Sequence, residues 1–131
     1  MRIPLKLRFA ASALFGLVMW TATVWRFLPY SERMHDPGPN LWMIFAAEFL
    51  GGLLLTAGLS KNRWTICHTL IAAMFAANTV LIQVDWKADP TNHNLAPFEY
   101  IIIAIFALPV YLGAGAAWAL DRWIADRAIT R

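Results

Sequence analysis

The chain has 131 residues, of which 60% are hydrophobic, and its 11 Lys and Arg outnumber its 8 Asp and Glu. Four apolar stretches take up about 80 positions and leave no room for a separate soluble domain. The basic residues are scattered at the ends of those stretches and form no stripe, which excludes a nucleic-acid surface; the single cysteine, Cys67, excludes an internal disulfide and CxxC redox chemistry.

The first stretch, Phe9–Leu28, follows Arg2, Lys6 and Arg8. Its apolar core outruns the roughly 7–15 residues of a signal peptide and contains Trp20 and Trp25, so a retained helix is expected. Ser12, Gly16, Met19, Thr23 and Arg26 form a stripe along it. Arg26 lies near the outer boundary and has two readings: it snorkels to the headgroups, or it reaches down to a carboxylate on the second stretch. Pro29 ends this helix, and Asp36–Asn40 is a turn whose last residue is a suitable N-cap.

The second stretch, Leu41–Leu59, places Glu48, Gly51, Gly52, Leu55 and Gly58 on one face. Small residues there read as a groove that lets another helix approach. Glu48 lies about seven residues from the outer end, or ~10 Å deep at about 1.5 Å per residue. A carboxylate at that depth costs several kcal/mol unless it is paired, protonated or hydrated. The tight basic connection Ser60–Arg63 makes the second and third helices antiparallel neighbours.

On the third stretch, Thr65–Val84, Cys67, Ile71, Met74 and Asn78 share a line. Asn78 and Gln83 fall in its outer half, at depths similar to Glu48 and Arg26. A polar cluster of these four residues has a plain reading as interhelical hydrogen bonding, worth about 0.6 kcal/mol per bond. Its sharper reading is a cavity for a small amphipathic ligand such as a quinone. His68 lies near the inner end, whereas His35 and His93 lie on the opposite side, so paired haem ligation is not expected.

The loop Asp85–Pro97 and its neighbours gather His35, Asp36, Asp85, Asp89, His93 and Glu99. These are metal-ligand types, but their spacing matches no metal motif, and solvated loops with no metal site are expected. The fourth stretch, Phe98–Leu120, carries Pro109 at its middle, which predicts a kink, and Gly113 and Gly115 in its inner half, which predict close packing. The tail beyond it extends the helix or lies along the surface. Trp42, Trp64, Trp86 and Trp118 or Trp123 fall at the expected membrane edges.

Each stretch is close to the ~20 residues needed to cross a bilayer as a helix. Eight Lys and Arg sit at the N-terminus, in the second gap and in the tail, against Arg26, Arg33 and Lys87 elsewhere, which places both termini in the cytoplasm. The expected fold is therefore all-α: a membrane-embedded, antiparallel four-helix bundle forming one domain.

The run Glu48–Leu59, followed by a short basic turn, resembles the second helix of the DoxX family. Leu112–Asp121 is similar to the family's fourth-helix ending of the type G-x-G-x-x-S-L-D. The likeness covers most of residues 9–124. The chain departs from the family pattern where Trp20–Tyr30 replaces a His-Gly with a following Lys, and where Asn62–Ile66 replaces Thr-Arg-x-Ala-Ala. The resemblance implies a non-catalytic accessory or structural subunit of an electron-transfer or respiratory complex in a bacterial inner membrane. Its partners would be the bilayer and other membrane subunits or further copies of itself. The alternative is a quinone- or lipid-binding redox subunit that uses the Arg26 and Glu48 region. Gly16, Gly51, Gly52, Gly58, Gly113 and Gly115 are the expected packing positions.

Overall fold

A computed structural model describes residues 3–91 and 96–129, and these residues are overwhelmingly helical. The elements are α1 (Leu5–Trp20), which continues through a π-helical turn (Thr21–Trp25), then α2 (Tyr30–His35), α3 (Leu41–Thr56), α4 (Arg63–Ala88), α5 (Ala96–Phe106) and α6 (Leu108–Ile129). Among the described residues, three helical runs are long and apolar enough to cross a membrane: Leu5–Trp25, Arg63–Ala88 and Pro97–Ala128.

The boundaries follow local chemistry. The first helix stops at Trp25, before Pro29, because Arg26 and Phe27 both take positive φ, at 52° and 53°. Pro29 instead opens the short α2, an element absent from the hydropathy pattern. Asn40 caps α3 as expected, its Oδ1 accepting from the Trp42 N–H at 2.8 Å. The second helix is shorter than the predicted Leu41–Leu59. It has 16 residues, or about 24 Å of rise, because Gly58 takes φ +70° and stops it. α4 runs longer than predicted at both ends. Its C-terminal extension is anchored by Asp85, which is buried and paired with Arg33. The fourth apolar stretch divides at Ala107, since Pro109 has no N–H to offer Ile105. The tail continues α6.

The closest packing joins helices that are not consecutive: α1 with α4, and α3 with α6. The tight 57–62 turn does bring α4 back beside α3, but their approach is looser than either of these pairs. Ser12 donates to the Ile66 carbonyl at 2.7 Å, and a Cβ on Gly16 would stand 2.2 Å from Leu70 O. Positions 12 and 16 thus face 66 and 70, so α1 and α4 climb together. On the other pair, the Phe45 and Phe106 rings are 5.4 Å apart, a Cβ on Gly52 would stand 2.0 Å from Val110 O, and Asp121 accepts from the Gly58 N–H at 2.9 Å. Gly113 meets Phe49 O in the same way.

Four of the six predicted packing glycines therefore sit in close contacts, with Gly51 set against the Phe15 ring. The other two do not. Gly58 and Gly115 have nothing within 4 Å of a would-be Cβ; Gly58 serves the turn, and Gly115 lies off the α3 contact face. Leu70, Met74, Ile103, Val110 and Ala114 form the apolar centre between the pairs, joined by Trp20.

Candidate functional site

The interior holds one polar slab. Glu48 on α3 and Asn78 on α4 are each 1% exposed, and Trp20 on α1 is 5% exposed. Glu48 Oε2, both polar atoms of Asn78 and Trp20 Nε1 have no hydrogen-bond partner. The other buried, unpartnered side-chain atoms among the described residues are the Nε groups of Arg8, Arg26 and Arg63, whose terminal nitrogens are bonded. The deficit is thus concentrated in three side chains from three helices.

Helix register puts them near one level. Ser12 faces Ile66 and Gly16 faces Leu70 and Ala73, while Phe15 faces Gly51. Carried along each helix, these contacts place Glu48, Trp20 and Asn78 within about 9 Å of bundle height, under two helical turns. Two backbone irregularities share that level. The π-helical turn begins immediately after Trp20, and the break at Ala107 lies beside Glu48 through the Phe45–Phe106 and Gly52–Val110 contacts. π-helical turns and broken helices recur at functional sites.

The sequence builds this slab locally. Asn40 fixes the start of α3, and Gly51 and Gly52 admit α1 and α6 so closely that Glu48 is enclosed one turn above them. Chemically the slab offers the Trp20 N–H and Asn78 amide N–H groups as donors, and the Asn78 and Glu48 oxygens as acceptors. A small group carrying both an acceptor and a hydroxyl could satisfy them; left unmet, each would cost about 1–3 kcal/mol.

Two predicted members lie elsewhere. Arg26 forms an ion pair with Asp36 and donates to the Arg33 carbonyl, so it is engaged at the 36–38 turn and not with Glu48. Its left-handed backbone turns it toward the 36–38 turn, where its guanidinium lies beside Gly38. Gln83 is exposed on α4 and stands apart from the slab. Trp20 is a member of the slab that the predicted stripe omits. Its signal is the spacing Ser12, Gly16, Trp20, four residues apart and all buried, whereas the predicted stripe drifted to Met19 and Thr23. Thr23 simply donates to the Met19 carbonyl.

The bundle ends carry structural charges. At one end Arg8 donates to Leu55 O and Ala57 O at 2.9 and 2.7 Å, closing the C-terminus of α3, and Arg63 pairs with Asp121 at 2.6 Å. At the other end Arg33 pairs with Asp85, both side chains being 7% exposed. Just after α4 the Thr91 N–H and hydroxyl both donate to Asp89 and hold its carboxyl below the ordinary range. His68 is exposed, with Nδ1 2.6 Å from the Tyr111 hydroxyl. Among the described residues, no three of His, Cys, Asp and Glu come together as metal ligands. His93, one of the candidate ligands, lies outside the described residues. No family model, curated protein or solved structure matches the chain.

Proposed function

We propose that the chain is an integral membrane protein of the bacterial inner membrane, an antiparallel bundle of four spans with both termini cytoplasmic. In that setting it serves as a DoxX-like accessory subunit of an electron-transfer complex. The observation that carries this reading is an inverted order of burial. Leu14, Val18, Leu50, Leu54, Ile101, Ile105 and Leu112 are each more than half exposed, while Glu48, Asn78, Arg63 and Asp85 are at most 6% exposed. Water would penalise so continuous an apolar surface, whereas lipid or a membrane partner covers it without cost. The paired charges at both bundle ends and the Lys and Arg bias support the orientation. At about 24 Å, α3 is shorter than a ~30 Å hydrocarbon layer and spans it by local thinning or through its neighbours.

The accessory role rests on the DoxX resemblance and on apolar faces left for a partner. The test is purification of the tagged chain in mild detergent, with identification of what elutes with it. A stoichiometric membrane redox subunit is expected. Elution of this chain alone would refute the accessory role.

A second reading is supported by the slab: a quinone-type ring held by Trp20, Glu48 and Asn78, with Arg26 taking no part. Solvent extraction of the purified protein would then release quinone at about one per chain. The Asn78→Leu variant would release none.

A further inference from the structure

The outward face of α4 is unlike the rest of the apolar surface. From Thr65 to Thr79, about 21 Å of rise, the described residues of α4 expose no large hydrophobic side chain. Elsewhere Leu14 on α1, Leu54 on α3 and Ile105 on α5 are 62%, 66% and 54% exposed. The face carries instead Thr65, Thr69, Ala72, Ala76, Thr79 and Gln83, of which Thr69 and Thr79 are half-buried and the others exposed. Thr65, Ala72 and Thr79 recur every seven residues, and so do Thr69, Ala76 and Gln83. Two interleaved sevens at alternating three- and four-residue steps are the seam of a left-handed helix pair. Ala72 and Ala76 also form a small-x-x-x-small pair, which lets a second backbone come close.

Gln83 is what acyl chains leave unanswered. The hydroxyls of Thr69 and Thr79 donate to the Thr65 and Phe75 carbonyls, each at 2.9 Å, and so are satisfied within α4. The Gln83 amide bonds to nothing among the described residues. It offers two donors and an acceptor that hydrocarbon cannot match, whereas a facing helix can.

The same chemistry selects the partner. Copies inserted in one orientation stand parallel, and a two-fold axis along the membrane normal sets each seam residue against its own counterpart. A charged residue there would meet its like; the seam has none, and Lys61 and Lys87 lie beyond its two ends. An amide is self-complementary, since each Gln83 donates to and accepts from the other. We propose that this face of α4 pairs with α4 of a second copy, closest at Ala72 and Ala76 and held in register by Gln83. A single polar residue in a coiled-coil seam sets register in the same way. The proposal rests on the membrane reading, which is checked independently by alkaline carbonate extraction: release of the chain would overturn both, whereas retention leaves the seam to its own test.

That test is disulfide crosslinking of the full chain in native membranes, in a Cys67→Ala background. Ala72→Cys or Ala76→Cys should give a linked dimer on oxidation, and Leu54→Cys, exposed on α3, should not. Failure of both α4 positions, or equal linking at position 54, would overturn the proposal. Linking to a different protein in place of a second copy would overturn the choice of partner. In liposomes, energy transfer between labelled copies measures the dissociation constant. Gln83→Leu should weaken it about sevenfold, from two interhelical bonds of ordinary membrane strength. An unchanged constant would overturn the in-register seam.

Discussion

Gly113 and Gly115 stand two residues apart on α6 and should respond oppositely to one added methyl group. A Cβ at Gly113 would lie 2.0 Å from Phe49 O and 2.8 Å from Leu53 N, whereas one at Gly115 would meet nothing within 4 Å. Ordinary contact begins near 3.4 Å, so α3 would have to retreat by about 1.4 Å (3.4 − 2.0) to admit the first. The obstacle is helical main chain, which no rotamer change relieves. Overpacking costs about 1–3 kcal/mol, and a clash on backbone belongs at the upper end. Each substitution also gains up to about 1 kcal/mol of helix propensity. Gly113→Ala should therefore destabilise the bundle by about 2 kcal/mol, and Gly115→Ala should leave it unchanged or raise stability by up to about 1 kcal/mol. Reversible unfolding in mixed micelles, driven by added SDS and followed by Trp fluorescence, measures both. Equal effects of the two substitutions would refute the close seating of α6 on α3.

Arg33→Met or Asp85→Asn alone should cost about 3–5 kcal/mol by leaving a buried charge without its partner, and the double variant should cost less than their sum; strict additivity in the same unfolding assay would argue against the pair. Asn78→Leu should raise the stability of the ligand-free bundle by about 1–3 kcal/mol, because it removes buried amide atoms that lack partners; a loss would mean that those atoms are satisfied in solution. With Cys67 only 1% exposed as background, an impermeant maleimide should label Lys87→Cys on intact cells and Ser60→Cys only after permeabilisation; the reverse pattern would invert the topology. Thr91→Val should raise the Asp89 carboxyl part of the way to the ordinary range in an NMR titration. Since that carboxyl is held low in the folded chain, its contribution is present above the ordinary carboxylate range and fades as pH falls through the folded midpoint; an unmoved midpoint would rule out the hydroxyl as a cause.

Hydropathy made the long helices legible because an apolar run of that length has few other uses. Punctuation was legible where one residue decides, as at Asn40 and Pro109. It failed where backbone conformation decides: nothing in the residue types of Arg26 and Phe27 announces positive φ, and α2 carries too few apolar residues to register. The site was half legible. Glu48 and Asn78 stood out as polar residues inside apolar runs, and both are buried. Arg26 and Gln83 miss the slab for different reasons: left-handed backbone at Arg26 turns its guanidinium to the 36–38 turn, and Gln83 lies five residues beyond Asn78 on an exposed face of α4. Trp20 is hidden because an indole inside an apolar run reads as part of that run, and its unpartnered N–H is visible only in three dimensions.

Partners in this bundle are distant in the chain, and that has a consequence for its synthesis. Ser12 waits for Ile66, 54 residues later, and Gly58 waits for Asp121, 63 residues later. On the membrane reading proposed above, α1 is inserted long before α4 is made, and the short α3 waits with Gly52 uncovered until α6 emerges. A ribosome stalled before residue 108 would leave that glycine face and the end of α3 open to the proteases that clear incomplete membrane proteins. The assembly closes in a late step, when the last helix arrives, so the nascent chain passes most of its synthesis as two unmatched halves.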